Sequence, residues 1–216
     1  MGEVHRIGKG GRRKVVLVST GRKRILLHSC CGPCSTVVVE RLLDQWQPVM
    51  FFYGPNIQPE QEYLRRLEAA RKVAAEMGVP LVEAEYDPEE WNRAVGHLAQ
   101  LPEGSERCRE CFRLRMMRTA VEAARLCFDA FSATLSVSRH KSSRMVIDVG
   151  RQVQQLTAVP FLDTDFKKRG GYERSVELSR RFGLYRQDYC GCLPSLREAE
   201  QRRSRRRNGD ARQRRG

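Results

Sequence analysis

Apolar residues run unbroken through "RILLHS" and "PVMFFYG", and each run reads as a short strand, the second ended by Gly54, Pro55 and Asn56. Between them "STVVVERLLDQW" reads as a helix. From Pro59 onward the period lengthens. Tyr63, Leu67, Ala70, Ala74 and Met77 recur at helical spacing, with Gly78 placed to cap the helix before Pro80. "PLVEAEY" predicts a third strand and "DPEEWNRAVGHLAQ" a short helical stretch. Phe112, Met116, Ala120 and Ala124 then share one face of a helix that opens near "RCREC". "FDAFSATL" and "VPFLDTDF" read as two further strands, separated by the helical "SSRMVIDVGRQVQQLT". Strands alternating with helices of ten or more residues predict a parallel α/β sheet wound by right-handed crossovers.

Composition adds bounds. With 216 residues, 40% of them hydrophobic, the chain suits one sizeable domain, and no apolar run approaches the roughly 20 residues of a membrane span. No secretory signal is legible at the N-terminus, so a cytoplasmic protein is expected. The net charge of +14 is carried at the ends: residues 1–24 and residues 201–216 each hold eight Lys or Arg and one acid, while residues 25–200 are neutral overall. The reading is a basic N-terminal extension, a single catalytic-sized α/β domain over 25–200, and an Arg-rich tail that is disordered when free. Such arms gain affinity for phosphate backbones by releasing counterions.

Cysteine is the informative residue. "LLHSCCGPCS" sets Cys30, Cys31 and Cys34 just past the first strand, where an open α/β sheet binds its ligands. Neither G-x-G-x-x-G nor G-x-x-x-x-G-K-[ST] occurs there, so thiols stand where a phosphate loop is expected. Cys108 and Cys111 form "CREC", and Cys190 and Cys192 form "YCGC". Cys127, in "RLCFDAF", is expected as a core thiol. In a reducing compartment seven grouped thiols favour a soft metal over disulfides. Zinc prefers two C-x-x-C knuckles and only one pair has that spacing, whereas an iron–sulfur cluster takes thiolates from separated loops; zinc and thiol redox chemistry both stay open at this point.

Taken together and in order, "LLHSCCGPCS", "YGPNIQPEQEYLRR", "RCRECFRLR", "TLSVSRHKS" and "DFKKRGGYERSVELSRRFGLYRQDYCGC" resemble the QueH family of epoxyqueuosine reductases. The resemblance spans roughly residues 24–195 and leaves the basic ends outside. It implies a Rossmann-like fold of the HUP class, an iron–sulfur enzyme, and a substrate: tRNA carrying epoxyqueuosine at its wobble position. The implied reaction removes the epoxide oxygen with two electrons and two protons, giving queuosine and water.

On that basis Cys30, Cys31, Cys108 and Cys111 are expected to hold a 4Fe-4S cluster, and Cys34, Cys190 and Cys192 a neighbouring mononuclear iron acting as a Lewis acid on the epoxide oxygen. An external electron donor is required, and a monomer is the simplest state. Asp165, Lys167 and His140 are the candidate catalytic proton carriers, with His28, Lys141 and Tyr189 in the same motifs. Asn56 is a candidate for positioning substrate. Two alternatives fit parts of the pattern: a zinc-stabilised RNA-binding module, and an ATP-dependent tRNA-modifying enzyme of the same fold class.

Overall fold

The computed structural model describes residues 4–6 and 21–213, with side chains over 21–206. Its strands are β1 (Val4–Arg6), β2 (Lys23–Ser29), β3 (Trp46–Phe52), β4 (Leu81–Glu83) and β5 (Ala130–Ala133). All pair in parallel. β4-β3-β2-β5 form the body of the sheet and β1 lies at its edge against β4. Ile25, Leu26, Leu27, Met50, Phe51 and Phe52 are fully buried, as continuous apolar strands covered on both faces should be.

The helices are α1 (Gly32–Leu42), α2 (Glu60–Met77), α3 (Pro88–Val95), α4 (Glu106–Arg125), α5 (Ser143–Thr157), α6 (Gly171–Arg181) and α7 (Leu193–Gln213). From β2 the chain steps through β3 to β4 in one direction and then returns to place β5 on the other side of β2. Right-handed crossovers that reverse direction put their helices on opposite faces. Accordingly α1 packs with α2 and α6, and α4 with α3 and α5. The reversal leaves a crevice beyond the carboxyl ends of β2 and β5, the place where such sheets bind ligands. Among the described residues no helix is long and apolar enough to cross a membrane.

Gly78 ends α2 in the left-handed conformation, φ 65°, as its spacing suggested. Four expectations change. "VPFLDTDF" is not a strand: it makes one bridge, Phe161 to Phe131, through Phe131 N donating to Pro160 O and Leu162 N donating to Phe131 O, both at 2.9 Å. Pro160 has no N–H to extend a ladder, and the Ser132 hydroxyl donates to Leu162 O at 3.2 Å instead. Cys127 is exposed, at φ 55° in the turn that closes α4, because β5 begins only at Ala130. The basic N-terminal segment contributes β1, and β2 already starts at Lys23; residues 7–20 of that segment lie outside the described residues. The Arg-rich segment expected to be disordered continues as α7 to Gln213, propagated from an anchored first turn rather than nucleated alone. Its last residues, 214–216, lie outside the described residues.

Candidate functional site: a thiol-lined crevice at the strand ends

Cys30 and Cys31 follow β2 directly, and Cys31 is the N-cap of α1. Pro33 fixes the first turn, Ser35 Oγ donates to Cys31 O at 2.8 Å, and Cys34 is carried half-buried on that turn. Gly32 permits this geometry. A Cβ there would lie 2.6 Å from Ala69 O, so α1 can approach α2 only with glycine at that position.

Cys108 and Cys111 sit on the first two turns of α4, both buried, with Gly104 N donating to Cys108 Sγ at 3.2 Å. The third group is held from α2. Arg66, itself fully buried, donates through Nη1 to Cys190 O at 2.9 Å and through Nη2 to Tyr189 O at 3.1 Å. Glu62 orients it at 2.7 Å and also accepts from Tyr185. Tyr189 donates to Gln58 O at 2.6 Å, and Gln58 N donates to Gly191 O at 2.8 Å. Gly191 stands at φ 134°, and a Cβ there would meet Asn56 Nδ2 at 2.8 Å.

The three groups meet. Cys111 and Cys192 pack together with Trp91 and Val95. Cys108 and Cys190 line one small cavity with Phe112, His140 and Lys141. Cys30, Cys108, Cys111 and Cys190 all act electrostatically on Arg115, while Cys30, Cys34 and Cys190 act on Lys141. Cys31 joins by hydrogen bonds to Cys30 and Cys34.

The protons of these thiols are coupled. The bond to Cys31, aided by burial, holds Cys30 well above the ordinary thiol range, and the same neighbour's bond pulls Cys34 below it. At Cys31 the bond to Cys30 lowers the pKa, but the bond to Cys34 and burial outweigh it, and the thiol stands at about 11. Burial pushes Cys111 up to about 12. Ligation would therefore release protons, since metals bind thiolate.

Among the described residues no three His, Cys, Asp or Glu side chains already converge in metal-coordinating geometry. The cysteine-lined metal site expected from the sequence is thus present as a neighbourhood of thiols and not as a formed coordination sphere. The surroundings nevertheless fit an anionic metal–thiolate group. Arg115 is completely buried; its Nε donates to Cys111 O at 3.0 Å, while Nη1 and Nη2 have no acceptor. A guanidinium cannot shed its charge, so two orphaned nitrogens among thiols call for negative charge beside them. Lys141 lies against the same thiols: burial opposes its charge, and Cys190, Cys30 and Cys34 more than offset that, holding its pKa above the ordinary lysine value.

The other expected residues are divided. His140 is exposed and lines the cavity with Cys108 and Cys190. Lys167 reaches the site indirectly, donating from Nζ to Lys141 O at 2.9 Å. Asp165 accepts from Lys167 N at 3.1 Å and opens onto a different groove, with Arg41, Trp46 and Arg169. His28 is fully buried with Nε2 2.9 Å from Tyr53 O; burial, then the Arg115 charge, push its pKa down to about 3, so it is neutral and no acid near pH 7. Asn56 is fully buried with neither side-chain atom hydrogen-bonded. Sequence reasoning missed Arg115 and Arg66. Arg115 had a signal, since it follows Cys108 by seven residues and Cys111 by four, which sets all three on one face of α4.

A parallel α/β sheet whose reversal point is occupied by seven thiols and a buried guanidinium defines a thiol-centred site, distinct in kind from a phosphate-cradling one. The comparisons with known proteins agree on the family. The family model described as Epoxyqueuosine reductase QueH matches residues 25–198. Relatives named Epoxyqueuosine reductase QueH are 42% identical over 178 residues in Streptococcus pyogenes serotype M1, covering 80% of this chain and 70% of that one. Another, from Thermotoga maritima, is 38% identical over 181 residues, covering 82% of this chain and 93% of its own length. The chain belongs to the epoxyqueuosine reductase QueH family.

Proposed function

We propose that this protein is an oxidoreductase of tRNA queuosine biosynthesis that reduces epoxyqueuosine, taking the epoxide to an alkene with two electrons and two protons. The family match supports the reaction, and one structural observation supports the way it is done: thiols from three distant chain segments gather around the orphaned guanidinium of Arg115. A thiol pair gives two electrons only by closing to a disulfide, so turnover needs an external donor, and a redox group held by these thiols would relay its electrons. In the reading proposed, Cys30, Cys31, Cys108 and Cys111 hold a 4Fe-4S cluster and Cys34, Cys190 and Cys192 a mononuclear iron. When bound, these groups supply electrons from an external donor and a Lewis acid for C–O cleavage.

The chain's own residues do the rest. Arg115 and Lys141 supply positive charge beside the thiols. His140 stands at the cavity wall within reach of solvent, a position suited to delivering a proton, and Asn56 offers an unpaired amide for the nucleoside. Lys167 braces the Lys141 backbone. Asp165, facing another groove, is the weakest of the three proton carriers inferred from sequence. The sheet order β4-β3-β2-β5 supports a fold of the HUP type.

The test is iron and acid-labile sulfide content of protein purified without oxygen, its visible spectrum before and after dithionite, and mass spectrometry of nucleosides from treated tRNA. Brown protein bleached by reductant, and converting epoxyqueuosine to queuosine, is expected. Colourless zinc protein that stays inactive after anaerobic reconstitution would replace this reading with an RNA-binding zinc module.

A further inference from the structure

α7 is two helices in character. Its start is built into the domain: Ser195 and Ala199 are buried, Ser195 Oγ donates to Cys192 O at 2.9 Å, and Glu198 accepts from the buried Arg107 on α4 at 2.8 Å. Past Ala199, residues 200–206 are all exposed and hold Arg202, Arg203, Arg205 and Arg206 against the single acid Glu200. That is also where the family match ends, at residue 198. A helix segment with no apolar stripe gains nothing by packing, so its partners are set by charge.

Its direction is not arbitrary. Arg203 is ion-paired with Asp188, one residue before Tyr189, and this pins the exposed turns beside the thiol crevice. Arg202 lines a polar cleft with His140, Lys141, Gln187, Tyr189 and Cys190. The acids of that cleft are Glu103 and Asp188, and Asp188 is already paired. Arg202, Arg205 and Arg206 stand at i, i+3 and i+4, so they share one helix face.

We propose that this face of α7 docks the phosphate backbone of the anticodon arm, so that a wobble nucleoside leaving the stack enters the thiol crevice beside Arg202. The inference rests on the function proposed above and adds to it a substrate-positioning element outside the family-matched segment. Arginine is suited to the task because its planar fork meets two phosphate oxygens at once. An adjoining single-stranded loop is where modified bases are accessible.

The experiment uses the full chain, loaded without oxygen, and a fluorescent anticodon stem–loop RNA without the modification. In the variant Arg202→Gln, Arg205→Gln, Arg206→Gln, affinity at low salt is expected to fall about tenfold. The slope of log K against log salt should flatten by about 2, the counterion release of three phosphate contacts. On epoxyqueuosine-bearing tRNA the variant should raise KM and keep kcat, with iron content unchanged. A control removing equal charge elsewhere, Lys72→Gln, Arg93→Gln, Arg125→Gln, should leave the slope at the wild-type value. The proposal is overturned if the α7 variant binds RNA with wild-type affinity and slope, or if the control loses as much. Wild type that binds through α7 yet reduces no epoxyqueuosine would support this docking surface and refute the proposed reaction.

Discussion

Arg115 and His28 are the residues whose surroundings make the sharpest demands. Arg115 keeps its charge while buried at 0% exposure, with Nη1 and Nη2 unpaired. In the metal-free protein that charge is a cost, so Arg115→Met is expected to leave stability unchanged or raise it by about 1–4 kcal/mol. In the loaded protein the same change removes the positive charge beside the thiolates, and metal affinity should fall about 10–100-fold, the usual effect of losing an outer partner. Denaturant unfolding of the metal-free variant and its iron content after reconstitution check both halves; a destabilised variant that loads fully would contradict them. His28 sets a pH dependence of the fold itself. Its folded pKa, about 3, lies below the ordinary 6.5, because burial and the charge of Arg115 disfavour the imidazolium. The unfolded chain therefore binds a proton first as pH falls. Stability from this group is complete above pH 6.5 and is lost progressively down to about 3, at a cost of about 5 kcal/mol. Urea titrations of the metal-free protein at pH 7 and pH 4.5 should show the drop, and His28→Asn should flatten it.

The elements depend on close approach. α1 begins at Gly32 because the turn carrying Cys31 and Cys34 presses on α2, with Ala69 O where a Cβ would be. Gly32→Ala should cost about 1–3 kcal/mol, typical of overpacking, and reduce iron content by shifting α1 away from Cys108 and Cys190. Wild-type unfolding midpoint and iron content in that variant would show that the approach is dispensable. The elements themselves were largely legible, since β2 and β3 are unbroken apolar runs and α2 carries a helical period that ends at Gly78. What failed had competing local chemistry. Cys127 sat in an alternating run, but the turn closing α4 claimed it before β5 could start. "VPFLDTDF" looked like a strand, yet Pro160 and serine hydroxyls took over the ladder positions. α7 was invisible because an Arg-rich segment has no amphipathic period, and only its docking through Ser195, Glu198 and Ala199 nucleates it. For the site, the seven thiols could be read from spacing, whereas the guanidinium at their centre needed the helix face of α4, and the clamp of Arg66 on the Tyr189 and Cys190 carbonyls needed the tertiary fold.

Across the whole molecule the thiols come from three separated parts of the chain. Cys30, Cys31 and Cys34 belong to the β2–α1 junction, Cys108 and Cys111 to α4 on the opposite face, and Cys190 and Cys192 to the segment leading into α7. In the metal-free protein the last segment is held by polar contacts: Arg66 to two carbonyls, Tyr189 to Gln58, Gln58 to Gly191. A group ligated by all three parts would bind the folded state and not the unfolded chain as a set. At a free ligand level a thousandfold above Kd, such linkage stabilises by about 4 kcal/mol. For a domain of this size that corresponds to a rise in Tm of about 8–16 °C. Calorimetry on anaerobically reconstituted and chelator-stripped protein should show this shift, together with slower cleavage near residues 186–192 in limited proteolysis. Removing Cys190 and Cys192 together, as serines, should abolish the protection of that segment while leaving cluster iron bound at Cys30, Cys31, Cys108 and Cys111. If instead the double variant loses all iron, the thiols act as one ligand set and the division into a cluster and a separate iron is wrong.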